Sequence, residues 1–250
     1  MNINTDINIL GSFQDLSLII HFWAELKSGT KGKEDNHILT SVKTGGSFTR
    51  LRRAINGTLL KCKNSDTKDL IYAMLSADSV SDDTLVMLFW NASQNNDLIN
   101  FLNTNVFFPA FYSGRLIINT DDAEACIKEL REKEEMLKEW SAITIHTVSY
   151  KYLTLLSKFN LLEGKIQKKI LHPYLSDKMF VLFLYWMKAN EEKPNILESE
   201  WLKYSFCEQP VFLERVMQKK FADFYEFTYT VDQLKIDPLI PYKDIYHACK

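Results

Sequence analysis

Between residues 140 and 171 the chain reads WSAITIHTVSYKYLTLLSKFNLLEGKIQKKIL, and the polar side chains of this stretch are the ones best suited to meet a polyanion. His146, Thr147, Ser149, Tyr150, Lys151, Thr154 and Lys158 bring imidazole, hydroxyl and ammonium groups, which match phosphate oxygens and base edges. Ser141 and Thr144 stand before them as helix-starting hydroxyls. Lys165, Lys168 and Lys169 follow within an Ile-rich run whose β-branched residues favour a short strand. A second basic run lies upstream: residues 36–65 contain no acidic side chain, while Lys43, Arg50, Arg52, Arg53, Lys61 and Lys63 are all positive. Ser47, Thr49 and the N–H groups of a helix start there add further phosphate donors.

Charge separates these residues from what precedes them. Residues 121–140 hold eight carboxylates against four basic residues, whereas residues 141–180 hold six lysines against Glu163 and Asp177. A positive surface beside a negative one orients a polyanion on one side. Two plainer readings fit the same residues. The first is a solvated helix and hairpin in an ordinary domain; in the second, the upstream arginines pair with carboxylates such as those of residues 121–139.

Other chemistry finds little support. His21, His37, His146, His172 and His247 are scattered, with no His-x-x-x-His pair. Thr44-Gly45-Gly46-Ser47 lacks the Gly-x-x-x-x-Gly-Lys frame of a phosphate loop, and Asp82-Asp83 and Asp121-Asp122 sit where helices begin and complement the dipole. Cys62, Cys126, Cys207 and Cys249 are isolated, without zinc spacing or disulfide density. No catalytic residue, cofactor, metal or small-molecule substrate is expected, and the chain is read as a non-enzyme.

The elements that must position the basic residues are mostly helices. Ile145, Val148, Tyr152, Leu155, Leu156 and Phe159 recur at 3.6-residue spacing and predict a helix with one apolar face, which Asn160 and Gly164 end. Helices are also predicted over 13–27, 47–63 with Ser47 as cap, 66–76, 81–93, 96–105, 121–139, 176–189 and 210–220, with Pro109 ending a run and a brief extended piece at 116–118. Phe227, Tyr229 and Val231 alternate with Glu226, Thr228 and Thr230, which is strand periodicity. The expected fold is mainly α: an N-terminal helical bundle over 1–120, then a winged-helix-like part over 121–250 with short strands.

At 250 residues, 46% hydrophobic and 25% charged, the composition is that of a globule, and a net charge of −2 confines any polyanion site to a local patch. Residues 1–9 lack a targeting pattern, and the longest apolar runs, 85–90 and 179–187, fall short of the roughly 20 residues that span a bilayer. A cytoplasmic protein with buried helices and no membrane partner is expected.

The chain resembles the BrxA family of the BREX phage-defence systems. Ser47-Phe48-Thr49-Arg50-Leu51-Arg52-Arg53, Trp140 to Thr144 and Leu155 to Leu162 carry the resemblance, with residues 179–186 and 201–212 following in the expected order. It implies a mostly helical accessory protein of winged-helix character that binds double-stranded DNA beside larger BREX components and has no catalytic residues. Arg50, Arg52, Arg53, Lys151 and Lys158 match basic positions of the family's motifs. The alternatives are a protein–protein scaffold, docking through an aromatic surface around Phe206, Phe212, Phe221, Phe224 and Tyr229, and an RNA-binding helical domain.

Overall fold

The computed structural model describes residues 3–29, 44–75, 80–191 and 193–249. The fold is mainly helical and divides into two compact units, one made of Met1–Lys61 with Asp78–His172 and the other of Cys62–Ala77 with Pro173–Lys250. The first unit opens with α1 (Asp6–Leu10), α2 (Ser17–Ser28) and α3 (Gly45–Ala54). Thr44, not Ser47, caps α3, its side chain accepting the Ser47 N–H. Beyond Ala54 the helix widens into a π-turn over Ile55–Leu59, and side-chain amides take up the carbonyls at its end. Asn91 donates to Leu59 and Lys61, and Asn95 to Thr58 and Lys61.

The chain then gives α4 (Ser65–Met74) to the second unit and returns with α5 (Asp82–Asn95), α6 (Asp97–Leu102), a π-turn at Asn103–Phe107 and α7 (Phe108–Tyr112). Pro109 does not end the run as expected. The π-turn resets the hydrogen-bond register just before it, so the proline falls in the first turn of α7, where a missing N–H costs little.

Strand β1 (Ile117–Ile118) leads into α8 (Thr120–Lys133), α9 (Ala142–Lys158), β2 (Leu162–Glu163) and β3 (Lys168–Ile170). The strands form one antiparallel sheet in the order β1-β3-β2, with Ile117 opposite Lys169 and Leu162 opposite Ile170. A boundary at residue 120 would part β1 from β3, and it falls inside the first unit. Helix α8 stops short of the expected residue 139. Its buried stripe of Ala123, Ile127 and Leu130 would next present Glu134, so the backbone turns extended there and a 3-10 turn carries Leu137 into the core. Helix α9 buries the predicted apolar face against α8 and α1. Tyr152 donates to Asn103 Oδ1 at 2.9 Å, and Asn103 to Ser93 Oγ at 2.9 Å, while Phe159 packs on Phe89. Gly11, after α1, is held so close to Lys151 that a Cβ would meet its carbonyl oxygen and Cβ.

In the second unit α10 (Asp177–Asn190) is buried continuously from Met179 to Met187. It packs with α4, to which Asn64 and Thr67 bind it through the Ala189 carbonyl and the Asn190 side chain. Helix α11 (Gln209–Val216) has Pro210 in its first turn, β4 (Tyr225–Thr230) and β5 (Gln233–Pro238) form a hairpin, and α12 (Tyr242–Ala248) packs on α4 and α10. The expected aromatic docking surface is mostly interior: Phe206, Phe212 and Phe221 are buried, and Phe224 is half-buried. Arg215 is buried among them, donating to the Leu175 carbonyl at 2.8 Å and lying over the rings of Phe180 and Tyr174, which replace its lost hydration. Among the described residues no helix is long and apolar enough to cross a membrane.

Candidate nucleic-acid interface

Helix α9 begins at Ser141, whose Oγ accepts the Thr144 N–H at 3.2 Å, with the two hydroxyls 3.0 Å apart. Both hydroxyls therefore serve the cap before they serve a ligand. The outward face of the helix is Ile143, His146, Thr147 and Tyr150, with Ile143 79% exposed. Thr147 donates to the Ile143 carbonyl at 2.8 Å and Thr154 to the Tyr150 carbonyl at 2.9 Å. Their hydroxyl protons are thus spent within the helix, and what each offers outward is an acceptor oxygen, suited to a base amino group more than to a phosphate.

Ser149 does not belong to this face. It is fully buried, because position 149 stands four residues after Ile145 and three before Tyr152 on the side packed into the unit, and its Oγ has no hydrogen-bond partner among the described residues. His146 Nδ1 lies 2.6 Å from Glu124 Oε1, and Lys128 Nζ is 3.3 Å from Glu124 Oε2. The hydrogen bond from His146, with help from Lys128, holds the Glu124 carboxyl below its ordinary range. The acidic α8 and the polar face of α9 are therefore joined by the His146–Glu124 hydrogen bond.

The lysines divide into two groups. Lys151 is half-exposed, with its ammonium 5.6 Å from the Tyr150 ring centre, and Lys165 is exposed in the β2–β3 turn. Lys158 turns inward: its ammonium donates to the carbonyls of Leu10 and Phe13 and lies 4.3 Å from the Phe13 ring centre. Burial, reinforced by Lys151, pushes its pKa down to about 8. It fastens α9 to the segment after α1 instead of facing outward from the helix. Lys168 also folds back, onto Ser157 Oγ at 3.1 Å and the Gly164 carbonyl at 2.8 Å, and burial lowers its pKa. That bond ties the hairpin to α9. Lys169 pairs with Glu163 at 3.0 Å across the hairpin.

Two left-handed residues shape the turn after α9. Asn160 (φ 56°) donates to Asp82 Oδ1 at 2.8 Å, and Gly164 (φ 94°) lies so close to the Gln167 carbonyl that any Cβ would collide with it. The hairpin tip carries Ile166, 97% exposed, and Leu116 before β1 is 67% exposed. A shallow cleft of about 430 Å³ is lined by Leu116, Ile117, Glu163, Gly164, Gln167 and Lys169. The charge pattern did not point to Ile143, Ile166 or Leu116; the signal available, for Ile143 alone, was an apolar residue on the polar side of α9.

In the upstream run, Arg50 and Arg53 are exposed on α3. Arg52 is drawn to Glu25 of α2 at 3.1 Å and lies 4.9 Å from the Phe48 ring centre. Arginine pairing with a carboxylate is thus realised for Arg52, through α2 and not through residues 121–139. Thr49 donates to the Gly45 carbonyl, and Ser47 is half-buried behind the Thr44 cap. Lys61 is exposed in the first unit, Lys63 belongs to the second and donates to the Asn190 carbonyl, and Lys43 lies outside the described residues.

Among the described residues no three His, Cys, Asp or Glu side chains come together in a way that could hold a metal. Burial pushes the thiols of Cys62, Cys126 and Cys249 up to about 11, away from the thiolate form that a nucleophile needs. A family model described as BrxA matches residues 40–184, more than half of the chain, from the segment before α3 into α10. No curated protein and no solved structure matches the chain.

Proposed function

The chain belongs to the BrxA family, which places it among BREX-associated proteins, and from that premise we propose that it is a non-enzymatic accessory protein that binds double-stranded DNA through a winged helix. The observation that carries this reading is topological. A strand, two helices and a hairpin follow in the order β1-α8-α9-β2-β3, and the last strand lies between the other two in the sheet. That order supports reading α9 as the recognition helix and the β2–β3 hairpin as the wing. The outward residues fit those roles: Ile143, His146, Thr147 and Tyr150 on the helix, Lys165 and Ile166 at the hairpin tip.

Phosphate contacts fall to Lys151, Lys165 and Lys169, with Arg50 and Arg53 as a second patch in the same unit. Few donors remain for reading base edges, so binding has little sequence preference. The exposed Leu116 and Ile166 beside the cleft favour a second reading, in which the hairpin docks a protein partner of the defence complex.

A salt titration of binding to labelled duplex DNA separates the two. With about five cations on phosphates, log K falls against log salt with a slope near −4 to −5. Absence of binding at low salt, or a slope near zero, rejects the DNA reading and leaves protein docking. Tighter binding to duplex RNA than to DNA of the same sequence moves the assignment to RNA.

A further inference from the structure

We propose that the free edge of β4 is the docking site for a second copy of this chain, the two β4 strands pairing antiparallel about a two-fold axis at Thr228. This surface lies in the second unit, outside the residues assigned to DNA. In the β4–β5 hairpin Thr230 is opposite Gln233, Thr228 opposite Lys235, and Tyr229 and Phe227 opposite Leu234 and Ile236. The tight turn at Val231 and Asp232 closes on the Thr230–Gln233 pair. Leu234 sends its N–H away from β4, to Asn195 Oδ1 at 3.0 Å, so the Leu234–Tyr229 pair is a non-hydrogen-bonded one. The alternation then points the backbone N–H and C=O of Phe227 and Tyr229 away from β5, toward the open side of β4.

The two edges of this hairpin are treated differently. Asn195 covers the β5 side, accepting from Leu234 and donating to the Asp232 carbonyl at 2.8 Å. Among the described residues β4 pairs with β5 alone. Nor is β4 strongly guarded as an open edge: Tyr225–Thr230 contains no proline and no lysine, Glu226 is its single charge, and its register runs without a bulge. Its side chains also end in a half-finished core. Phe227 and Tyr229 share a face with Leu234 and Ile236, yet they are 41% and 40% exposed where their partners are 0%.

A second copy suits this edge because the strand is complementary to itself. With the axis at Thr228, Phe227 faces the second copy's Tyr229, Thr228 faces Thr228, and Glu226 faces Thr230. Aromatic and threonine cross-strand pairs are favourable, and no like charges meet. The outward pairs 227–229 are the ones whose backbone groups point away from β5 and meet no partner among the described residues, so the hydrogen-bonding phase is right as well. Moving the axis to Tyr229 would set Glu226 against Asp232, two carboxylates. Pairing along one short strand buries far less than the about 800 Å² per partner of a stable complex, so the dimer is weak and depends on concentration, with Kd of roughly micromolar or above.

Sedimentation of the full chain over a roughly hundredfold range of concentration around that Kd tests this, beside three variants checked for folding by circular dichroism. Phe227→Lys with Tyr229→Lys sets like charges across the axis and abolishes the dimer, while Phe227→Lys with Tyr229→Glu sets opposite charges and keeps it. Thr228→Cys, on the polar outer face, forms an intermolecular disulfide under an added oxidant, because residue 228 opposes itself in a closely spaced pair, whereas Glu226→Cys does not. Should either lysine-bearing variant fail to fold, the cysteine pair decides alone. A wild-type chain that stays monomeric at every concentration overturns the proposal, and so does a dimer that survives the double lysine. A dimer lost equally in the Lys/Glu variant, or a wild-type dimer whose Thr228→Cys form does not cross-link, overturns it too.

Discussion

Lys151→Glu with Lys165→Glu is the perturbation that bears most directly on the proposed interface. Lys151 is half-exposed on α9 and Lys165 is exposed in the hairpin turn, and among the described residues neither pairs with a carboxylate. Reversal therefore removes two cations from the surface without breaking a packed contact, and the melting temperature should stay within the range of an ordinary surface change. Each lost phosphate contact reduces the salt slope by about 0.9, so the pair reduces it by about 1.8. At about 0.1 M salt that difference corresponds to roughly fifty- to hundredfold weaker binding, and the repulsion of the new carboxylates adds to it. Fluorescence anisotropy on a short duplex at several salt concentrations reads both quantities. Arg50→Glu with Arg53→Glu serves as the parallel variant on α3. A folded Lys151/Lys165 variant that binds as the wild type does would refute the assignment of α9 and the hairpin, and loss confined to the arginine pair would move the interface to α3.

Lys158→Met should destabilise the first unit by about 1–3 kcal/mol in chemical denaturation, because the carbonyls of Leu10 and Phe13 lose their donor. The folded pKa of Lys158 is depressed, so between about 8 and the ordinary lysine value of 10.5 the unfolded chain binds more protons, and its contribution to stability rises with pH across that window. The rise is smaller than the roughly 3 kcal/mol of an unscreened shift, since solvent reaches the group, and it should be missing from a Lys158→Met stability–pH profile. Gly164→Ala places a side chain at φ 94° against the Gln167 carbonyl, which costs at least about 1–2 kcal/mol and should weaken DNA binding by disordering the hairpin turn. Tyr152→Phe takes the phenol donor from the buried Asn103 Oδ1 and should cost about 1–3 kcal/mol with no direct effect on the outward face of α9.

What the sequence made legible was whatever depends on local periodicity. The apolar stripe of α9 is buried as its spacing requires, and capping side chains mark the starts of α5, α9 and α10 at Ser81, Ser141 and Ser176. The π-turns were not legible, since what stabilises the one after α3 is a pair of asparagine amides arriving from α5, 30 and 34 residues away. The end of α8 could have been read from Glu134 falling on the buried stripe, but its charge blends with the acidic run around it.

Lysine orientation lay furthest from what sequence can tell. Lys151 and Lys158 are both polar positions of one amphipathic helix, yet Lys158 reaches carbonyls 145 and 148 residues away and becomes a fastening, because a flexible four-carbon stem follows whatever acceptors the fold brings within reach. With Lys158 and Lys168 turned inward, the reversal of charge along the sequence overstates the positive potential that the first unit presents outward. The case for DNA therefore rests more on the order β1-β3-β2 and the open face of α9 than on the count of lysines. It follows that the salt slope is the more exacting test: a topology can be shared by a protein-docking module, but a slope near −4 requires cations seated on phosphates.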